Sequence, residues 1–459
     1  MDNTYGARAA SKSKPDKSNK TMDQTAQGSR SQEVRDKHAK YLLPAVSNYY
    51  ADSIVLDSGS GMHVCDIDGR EYLDFFGGIL TVSVGHCNPE VTEPLKAQID
   101  RLGHVSTLYP TMPIVELAER LARITPGKLQ KSMFTSSGSE ADDTAVVLAQ
   151  IFTGSQEIIA LRHGYSGRGV LSQSLTAHAP WRAIPSQVAG IKHAMSPYCY
   201  RCPLGLKYPD CEVRCATDLK ELIQTTTTGQ IAGFIAEPIQ GVGGFITPPK
   251  EYFKIAVDIV RDHGGVFICD EVQTGFGRCG SKMFGIEHWG VEPEIMTMAK
   301  GVANGMPLGI TIATPEIADS FQKLTISTFG GNPICSTAAN ATLEYIEREE
   351  LPKNSEVQGK RLRDGLEELQ RRHPKVIGDV RGLGLMQGLE LVVDETVGDR
   401  TPAPKATARL FEETKTRGLL IGKGGLHGNS IRISPPMIVG ASEVDEALRI
   451  LGESFEAMA

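Results

Sequence analysis

The sequence lacks both a long hydrophobic run and an excess of basic charge. None of its apolar stretches reaches the roughly 18 residues of a membrane-spanning helix, which excludes that class of protein. Its 48 Lys and Arg residues are fewer than its 55 Asp and Glu residues, and the formal net charge is −7. This balance argues against a nucleic-acid-binding protein, which usually carries a basic surface. Glycine is abundant, with 48 in 459 residues against a usual share of about 7%.

The cysteines do not have the number or spacing of a disulfide scaffold. There are nine, and five of them stand singly among apolar or Gly-rich stretches: Cys65, Cys87, Cys269, Cys279 and Cys335. This pattern is typical of buried thiols in a reducing compartment.

The other four cysteines form a cluster, Cys199-x2-Cys202-x8-Cys211-x3-Cys215. Four thiolates this close in sequence can bind tetrahedral zinc, although the two pairs are nearer to each other than in common zinc ribbons. Free thiols and a redox-active disulfide are the alternatives. We assign no metal to the cluster at this stage.

Residues 1–40 differ in composition from the rest of the chain. They hold nine Lys and Arg and five Asp and Glu residues, with Ser, Thr, Asn and Gln between them, and have almost no large apolar side chains. Such a segment buries too little surface to offset its ordering entropy, so we predict a disordered tail. It has no apolar stretch typical of a secretory signal. A transit peptide is rich in Arg and poor in acids, whereas this segment is rich in Lys and contains acids. A cytoplasmic location is therefore expected.

The pattern from residue 49 onward predicts an α/β protein. Residues 62–76 are typical of a hairpin around Asp68-Gly69, and 113–124 and 251–265, the latter closed by glycines, are typical of amphipathic helices. Short apolar strands are predicted at 132–137, 157–162, 233–239, 266–272, 294–300 and 309–314. Because these strands alternate with helices, we predict a parallel or mostly parallel sheet.

The C-terminal part changes to long charged helices, predicted at 336–350, 355–373, 405–417 and 442–457, with one short β segment, IRISP. We interpret it as a small α+β domain completed by the N-terminal segment. The predicted organisation is a tail (1–40), an N-terminal segment of the small domain (41–100), a large cofactor-binding domain (101–335) and the C-terminal small domain (336–459). No internal repeat is present.

Four junctions between predicted strands and helices carry unusual polar residues. Ser136–Glu140 is a Gly/Ser turn that opens a helix and suits a phosphate, although an ordinary N-cap looks the same. Asp270-Glu271 ends an apolar strand and suits a cationic ring nitrogen, a structural ion pair or a metal. Lys300 follows the next strand, where it is either a nucleophile or a surface side chain. The Gly-rich loop at 327–333 opens another helix or is a plain turn.

Taken together, the four junctions are more specific than any one of them. A phosphate cradle, a carboxylate for a ring nitrogen and a lysine for an aldehyde are the parts that a pyridoxal 5′-phosphate site requires.

The sequence also resembles a known family, the class III aminotransferases. The resemblance covers about residue 45 to the C-terminus and is strongest to the alanine–glyoxylate aminotransferase 2 and 4-aminobutyrate aminotransferase group. The motifs that carry it are SSGSEA (136–141), EPIQGVGG (237–244), DEVQTGFGR (270–278), MAKGVANGMPLG (298–309) and TFGGNP (328–333). It implies the type I pyridoxal-phosphate-dependent transferase fold, with a mostly parallel seven-stranded sheet, and a homodimer, possibly a tetramer.

The resemblance implies roles for the residues around the cofactor. Lys300 matches the lysine that forms a Schiff base and shuttles a proton, and Asp270 matches the aspartate that keeps the pyridine nitrogen protonated. Gln273 matches a glutamine near the phenolic oxygen. The remaining cofactor matches are Ser137, Gly138 and Ser139 in the phosphate turn, Tyr165 stacked on the ring, and Thr328, which reaches the phosphate of the neighbouring subunit. The family usually has His-Gly after that tyrosine, whereas Ser166-Gly167 follows here.

Three further matches concern the substrate. Arg432 matches the arginine that binds the α-carboxylate, for which a fork of donors is suited. Glu237 matches the glutamate that pairs with that arginine when an ω-amine is bound. Arg168 stands where 4-aminobutyrate-type members bind a distal carboxylate, but a surface or interface charge is the alternative.

The function expected from these matches is ping-pong transamination between an amino acid or ω-amino acid and a keto acid, namely pyruvate, glyoxylate or 2-oxoglutarate. A phospho-lyase acting on a phosphorylated amino alcohol is one alternative, and a non-catalytic binding protein on the same scaffold is another. Lys300 and Asp270 occurring together argue against the second, because a scaffold without activity needs neither.

Overall fold

A seven-stranded sheet forms the centre of the computed structural model, which describes residues 24–46, 48–184 and 188–458. Only the strand Gly309–Ala313 runs against its neighbours, and the other six are parallel. In order across the sheet the strands are Lys131–Thr135, Gly309–Ala313, Ile295–Met298, Val266–Asp270, Gly233–Ala236, Ile158–Leu161 and Ile191–Ala194. This confirms the predicted α/β fold with a mostly parallel seven-stranded sheet.

The inner strands are buried on both faces, which explains their almost continuous apolar sequences. All six predicted strands are present, each within a few residues of its predicted bounds. The seventh, Ile191–Ala194, was not predicted. It lies at the sheet edge, where its sequence IKHA alternates apolar and polar residues too briefly to be distinguished from a loop.

Helices cover both faces of this sheet. They are Pro89–Arg101, Met112–Ile124, Gly138–Thr153, Val170–Leu175, Arg214–Thr226, Tyr252–Asp262, Pro315–Ser320 and Pro333–Arg348. The helix Tyr252–Asp262 shows how they pack, because its buried Phe253 ring lies 5.7 Å from the Phe267 ring of a central strand. The helices predicted at 113–124 and within 251–265 are confirmed.

The two ends of the chain are joined by strand pairing. The predicted hairpin is present as His63–Asp66 and Glu71–Asp74, with Leu56–Ser60 alongside. The short strand Leu419–Leu420 pairs in parallel with Leu73 and Asp74, so the N-terminal hairpin is held by the C-terminal region. The domain boundaries themselves stay a prediction.

The C-terminal region contains more sheet than predicted. Instead of one β segment, its sheet comprises Ile377–Leu383, Met386–Asp394, Asp399–Pro402, Gly422–Gly424 and Ser430–Ile433. The segment VIGDVRGLGLMQGLELVV concealed the first two strands because its glycines interrupt the apolar alternation. The long helices are confirmed as Pro333–Arg348, Leu351–Arg372, Pro404–Thr416 and Ala441–Glu456.

Part of the predicted disordered tail is a helix, Gln24–Tyr41. Residues 1–23 lie outside the described residues. The helix is polar on every side, so no periodic pattern reveals it. Arg35 donates a hydrogen bond to the Ser53 carbonyl oxygen at 3.2 Å, and the Ser31 hydroxyl bonds to the Asp68 carboxylate at the hairpin turn. Tertiary contacts therefore order a segment whose composition predicts disorder.

None of the helices in the described part of the chain is long and apolar enough to cross a membrane.

The clustered cysteines come together in space. Cys199, Cys202, Cys211 and Cys215 line one cavity of about 20 Å³. Burial raises the thiol pKa to about 11 for Cys199 and about 12 for Cys215. All nine cysteines are free thiols, and within the described ranges no group of three or more His, Cys, Asp or Glu side chains is arranged to hold a metal ion.

The prediction that the five single cysteines are buried holds for three of them. Cys269, Cys279 and Cys335 are buried, but Cys65 is half-buried and Cys87 is exposed. Cys87 lies in the turn before the helix Pro89–Arg101, and the residues near it in sequence do not cover its side chain.

Candidate active site

A cavity of about 140 Å³ lies at the carboxyl edge of the central sheet, where three of the four predicted junctions meet. Parallel strands all end at this edge, so segments far apart in sequence converge there. The cavity is lined by Gly138, Ser139, Asp142, Tyr165, Ser166, Gly167, Asp270, Val272, Gln273, Ala299 and Lys300. Six of the predicted site residues are therefore brought together: Gly138, Ser139, Tyr165, Asp270, Gln273 and Lys300.

The turn before the helix Gly138–Thr153 presents free backbone N–H groups to this cavity. Ser137 is the N-cap, and its hydroxyl accepts a hydrogen bond from the Glu140 N–H at 3.3 Å. The Glu140 carboxylate in turn accepts one from the Ser136 N–H at 2.7 Å. This reciprocal cap leaves the N–H groups of Gly138 and Ser139 and the positive end of the helix dipole available to an anion. Ser137 itself positions the turn and does not line the cavity.

The two acids that end the strand Val266–Asp270 have different surroundings. The Glu271 carboxylate turns away from the cavity and accepts backbone hydrogen bonds from Gly285 at 2.9 Å and Ile286 at 2.7 Å. Asp270 faces the cavity, and its Oδ1 accepts a hydrogen bond from the Val272 N–H at 3.0 Å. Burial raises the pKa of both carboxyls, to about 7 for Glu271. Only Asp270 is available to a ligand, in agreement with the predicted role.

Lys300 follows the strand Ile295–Met298 in an unusual backbone conformation. Its φ is +46°, in the left-handed region that costs a side chain with a Cβ about 1–3 kcal/mol. This conformation and the tight turn that follows place the lysine in the cavity, where it forms no ion pair with any described carboxylate. Burial lowers the pKa of its amine, while Asp270 and Glu237 oppose that shift. A buried amine with a lowered pKa is suited to act as a nucleophile.

Tyr165 and Gln273 both line the cavity. The Tyr165 N–H donates to Glu237 Oε1 at 3.1 Å, and the Trp181 ring meets the Tyr165 ring edge-on at 5.4 Å. Gln273 is buried, and its Oε1 has no hydrogen-bond partner among the described residues. A Cβ added at Gly241 would lie 2.3 Å from the Gln273 amide, so only glycine permits this approach.

Arg432 and Glu237 do not pair in this structure, and their pairing when an ω-amine is bound stays a prediction. Arg432 is buried, donates from Nε to the Lys423 carbonyl oxygen at 2.9 Å, and lies 4.9 Å from the Phe76 ring centre. Glu237 accepts instead from the N–H groups of Tyr165 and Gly241, the latter at 2.8 Å. Burial raises the pKa of Glu237, and a protonated carboxyl has little need of a guanidinium partner. Arg432 therefore has a guanidinium without a carboxylate partner in the described part of the chain.

Besides Ser137, Arg432 and Glu237, two more predicted residues do not line the cavity. Arg168 is exposed, but its N–H donates to the Ser139 hydroxyl at 3.3 Å, which places it at the cavity rim. Burial raises the pKa of Tyr165, and the nearby charge of Arg168 opposes that shift. Thr328 is exposed and lines no part of this chain's cavity.

Asp142 is a cavity residue that the sequence analysis missed. It follows the phosphate turn by three residues, and its sequence context ADDTA is typical of acids in the first turns of an ordinary helix. The usable signal was its spacing: position 142 lies one turn after Gly138, on the same helix face as the turn itself.

These residues fit pyridoxal 5′-phosphate. The unpartnered Gln273 Oε1, the buried amine of Lys300, the buried Asp270 and the open N–H groups of Gly138 and Ser139 match the polar groups of that cofactor in number and type. Bound there, it would be held by Lys300, Asp270, Gln273 and the phosphate turn, and it would supply an electron sink for bonds at the substrate carbon.

Comparison with known proteins agrees with this site. The family model for class III aminotransferases matches residues 46–455. An alanine–glyoxylate aminotransferase 2 homolog, named as mitochondrial, from Arabidopsis thaliana is 41% identical over 93% of this chain and 87% of its own length. A probable 4-aminobutyrate aminotransferase from Bacillus subtilis is 34% identical over 95% of this chain and 100% of its own.

A solved structure supports the fold and the cofactor. The PLP-bound amine transaminase from an uncultivated Pseudomonas species superposes with a TM-score of 0.85 at 32% identity, covering 92% of this chain and 99% of that one. The chain belongs to the class III aminotransferase family. It is a pyridoxal-phosphate-dependent enzyme that catalyses transamination.

Relatives with other chemistries are also similar to the chain. A leucine/methionine racemase from Thermococcus litoralis is 35% identical over 91% of this chain and 94% of its own length. A phospholyase from Arthrobacter, in complex with phosphoethanolamine, superposes with a TM-score of 0.84 at 31% identity, covering 93% of this chain and 100% of that one. Membership of the family therefore leaves the particular substrates open.

Proposed function

We propose that the enzyme transfers an amino group from an amino acid or ω-amino acid to pyruvate, glyoxylate or 2-oxoglutarate by a ping-pong mechanism. The observation that carries this proposal is Arg432, a buried guanidinium without a carboxylate partner whose charge is close enough to lower the pKa of Lys300. A planar fork of donors beside a reactive amine suits the α-carboxylate of an amino or keto acid.

The roles of the other residues follow from their positions. Lys300 Nζ, whose pKa is lowered by burial, takes a proton from the substrate α carbon and delivers it to the cofactor carbon that receives the amino group. Asp270 holds a proton on the ring nitrogen because an adjacent negative charge favours the cationic form. Gln273 and the Gly138–Ser139 turn fix the orientation of the bound cofactor, and this keeps the reacting carbon of the substrate within reach of Lys300.

A two-step assay tests this function. Adding an amine donor without a keto acid should bleach the yellow colour of the purified holoenzyme, and adding a keto acid should restore it. A panel of donors and acceptors assayed this way defines the substrates. Colour loss that no keto acid reverses would contradict transamination.

Arg168 is proposed to bind the distal carboxylate of a dicarboxylic acceptor. Its position at the rim, beside Tyr165 and Ser139, places a positive charge at the cavity entrance. Arg168→Ala should raise KM for 2-oxoglutarate about 10-fold or more and leave KM for pyruvate within about 2-fold, because a charged hydrogen bond contributes about 1.5–3 kcal/mol. Arg371→Ala, which removes an exposed arginine of the helix Leu351–Arg372, is the matched control. Equal effects on both acceptors would show that Arg168 has no such role.

A phospho-lyase activity on a phosphorylated amino alcohol is the second candidate. Similarity to the Arthrobacter phospholyase favours it. It is distinguished by release of inorganic phosphate from phosphoethanolamine with no keto acid present. The non-catalytic alternative is not supported, because the chain belongs to an enzyme family and retains both Lys300 and Asp270 in the cavity.

We further propose a homodimer in which Thr328 reaches the phosphate of the partner subunit; a tetramer stays possible as an association of two such dimers. Thr328 is exposed, and apolar side chains around it are exposed too, including Leu324, Ile326 and Phe329. A surface with this much exposed apolar area is typical of an interface.

Thr328→Ala should weaken pyridoxal phosphate binding about 3- to 10-fold, as expected for loss of one hydrogen bond, without changing the sedimentation coefficient of the dimer. Thr325→Ala, in the same loop, is the control. A monomer with full cofactor affinity would contradict both the dimer and the role of Thr328.

The cytoplasmic location is likewise proposed, on the acid-containing composition of residues 1–40. The Arabidopsis relative is named as mitochondrial, so fractionation of cells expressing the full chain is the decisive measurement.

A further inference from the structure

Asp142 is a buried acid in the cavity to which neither the sequence motifs nor the proposed mechanism assigns a role. Its side chain is 1% exposed, and it lines the same cavity as Asp270 and Lys300. An isolated buried carboxylate is costly unless it is paired or protonated. No cation forms an ion pair with Asp142 within the ranges that the structure describes.

The contacts of Asp142 connect it to Asp270. The Thr297 hydroxyl donates to Asp142 Oδ1 at 2.7 Å. Thr297 is directly opposite Asp270 in the parallel pairing of their two strands. The helix Gly138–Thr153 thus places Asp142 over the end of both strands, where it lines the same cavity as Asp270.

Two neighbouring carboxyls in a buried site do not both ionise, because each negative charge opposes the other. One of the pair carries a proton and donates it in a hydrogen bond. Burial and Asp270 together raise the pKa of Asp142 well above its usual range. Burial also raises the pKa of Asp270, but only to about 6, because the hydrogen bond from the Val272 N–H and the charge of Lys300 oppose that shift. The proton therefore belongs on Asp142, and Asp270 keeps the charge.

We propose that Asp142 is a positioning residue that stays protonated and donates a hydrogen bond to Asp270. In this role it orients the Asp270 carboxylate towards the cofactor's ring nitrogen and stabilises its ionised form. Thr297 donates to Asp142 Oδ1, which leaves Oδ2 as the oxygen that carries the proton and donates to Asp270 in this proposal. The inference rests on the proposed role of Asp270.

Two substitutions separate this role from simple packing. Asp142→Asn is a neutral isostere that keeps both an acceptor for Thr297 and a donor for Asp270. Asp142→Leu has a similar volume and lacks both. Cofactor affinity is measured by titrating each apoprotein with pyridoxal 5′-phosphate and following the quenching of protein fluorescence, over a range of pH. Thermal unfolding of each apoprotein checks that it folds.

Asp142→Asn should bind the cofactor within about 2-fold of the unsubstituted protein, with the same pH dependence. Asp142→Leu should raise the cofactor Kd about 10- to 100-fold, the range expected for loss of a hydrogen bond to a charged group. As the pH is lowered, the affinity of Asp142→Leu should begin to fall at a higher pH than that of the unsubstituted protein, because Asp270 without its donor protonates more readily. The charged and titratable groups facing Asp142 are Asp270, Asp143 and Lys300, and Asp143→Asn is the control, expected to bind like the unsubstituted protein.

A pH dependence that shifts in Asp142→Asn would show that Asp142 is ionised and would overturn the proposal. Unchanged binding by a folded Asp142→Leu would overturn it as well. Asp270→Asn in the same assay distinguishes a failure of the proposed role of Asp142 from a failure of the proposed role of Asp270. If Asp270→Asn also binds normally, the role of Asp270 is wrong, whereas weak binding by Asp270→Asn with normal binding by Asp142→Leu removes only the role of Asp142.

Discussion

Replacing Lys300 with alanine is expected to lower kcat by roughly 10⁴-fold or more, because one side chain supplies both the attachment of the cofactor and the proton transfer. Its position supports so large an effect. Lys300 is the lysine of the cavity, its amine is buried with a lowered pKa, and its left-handed backbone places it beside Asp270. The measurement is single-turnover amino transfer together with the visible absorption of the bound cofactor, which the variant should lose or shift.

The control is Lys282→Ala, an exposed lysine from the neighbouring loop, which should retain full activity. Adding a small primary amine to Lys300→Ala should restore part of the turnover if the missing function is a proton transfer. A Lys300→Ala enzyme that turns over normally would contradict the whole assignment of the site.

Asp270→Asn is expected to lower kcat by roughly 10²–10³-fold, the loss typical of removing one preorganised electrostatic group. The amide has nearly the same shape, but it carries no negative charge to keep the ring nitrogen protonated. We therefore expect a folded protein with weaker cofactor binding and slow transfer. The rate of proton removal from the donor in a single turnover is the measurement that isolates this step.

The adjacent Glu271 provides a matched control. It is equally buried, its pKa is raised to about 7 by burial, and its oxygens accept hydrogen bonds from Gly285 and Ile286. Glu271→Gln should lower the melting temperature and leave the rate per bound cofactor within about 3-fold, since it changes a backbone contact outside the cavity. If Glu271→Gln were the slower enzyme, the two acids would have been assigned to the wrong roles.

The order of the motifs along the chain was sufficient to predict the central part of this enzyme. Buried parallel strands are apolar over their whole length, so the strands at 157–162, 233–239 and 266–272 are evident without a partner. The residues that follow them must converge at one edge, which is why Asp270 and Lys300, thirty positions apart, were predicted to share a site. The comparison with known proteins confirms the family that those motifs indicated.

Errors arose where local pattern and tertiary contacts disagree. The helix Gln24–Tyr41 has a composition typical of a disordered segment, yet Ser31 and Arg35 bind it to the hairpin and to Ser53. The strands Ile377–Leu383 and Met386–Asp394 contain glycines that hide their alternation, and only their antiparallel pairing identifies them as sheet.

The sequence by itself determined the class of chemistry, because a lysine, an aspartate and a phosphate turn in this order indicate one cofactor. The tertiary structure decided which polar groups are free to act. It showed that Glu271 is occupied by backbone N–H groups and that Arg432 and Glu237 do not pair. It also placed Asp142 beside Asp270. The sequence could not show these arrangements because it does not give the distances between side chains. Burial and the proximity of charges set each pKa, and both depend on contacts between segments far apart in sequence.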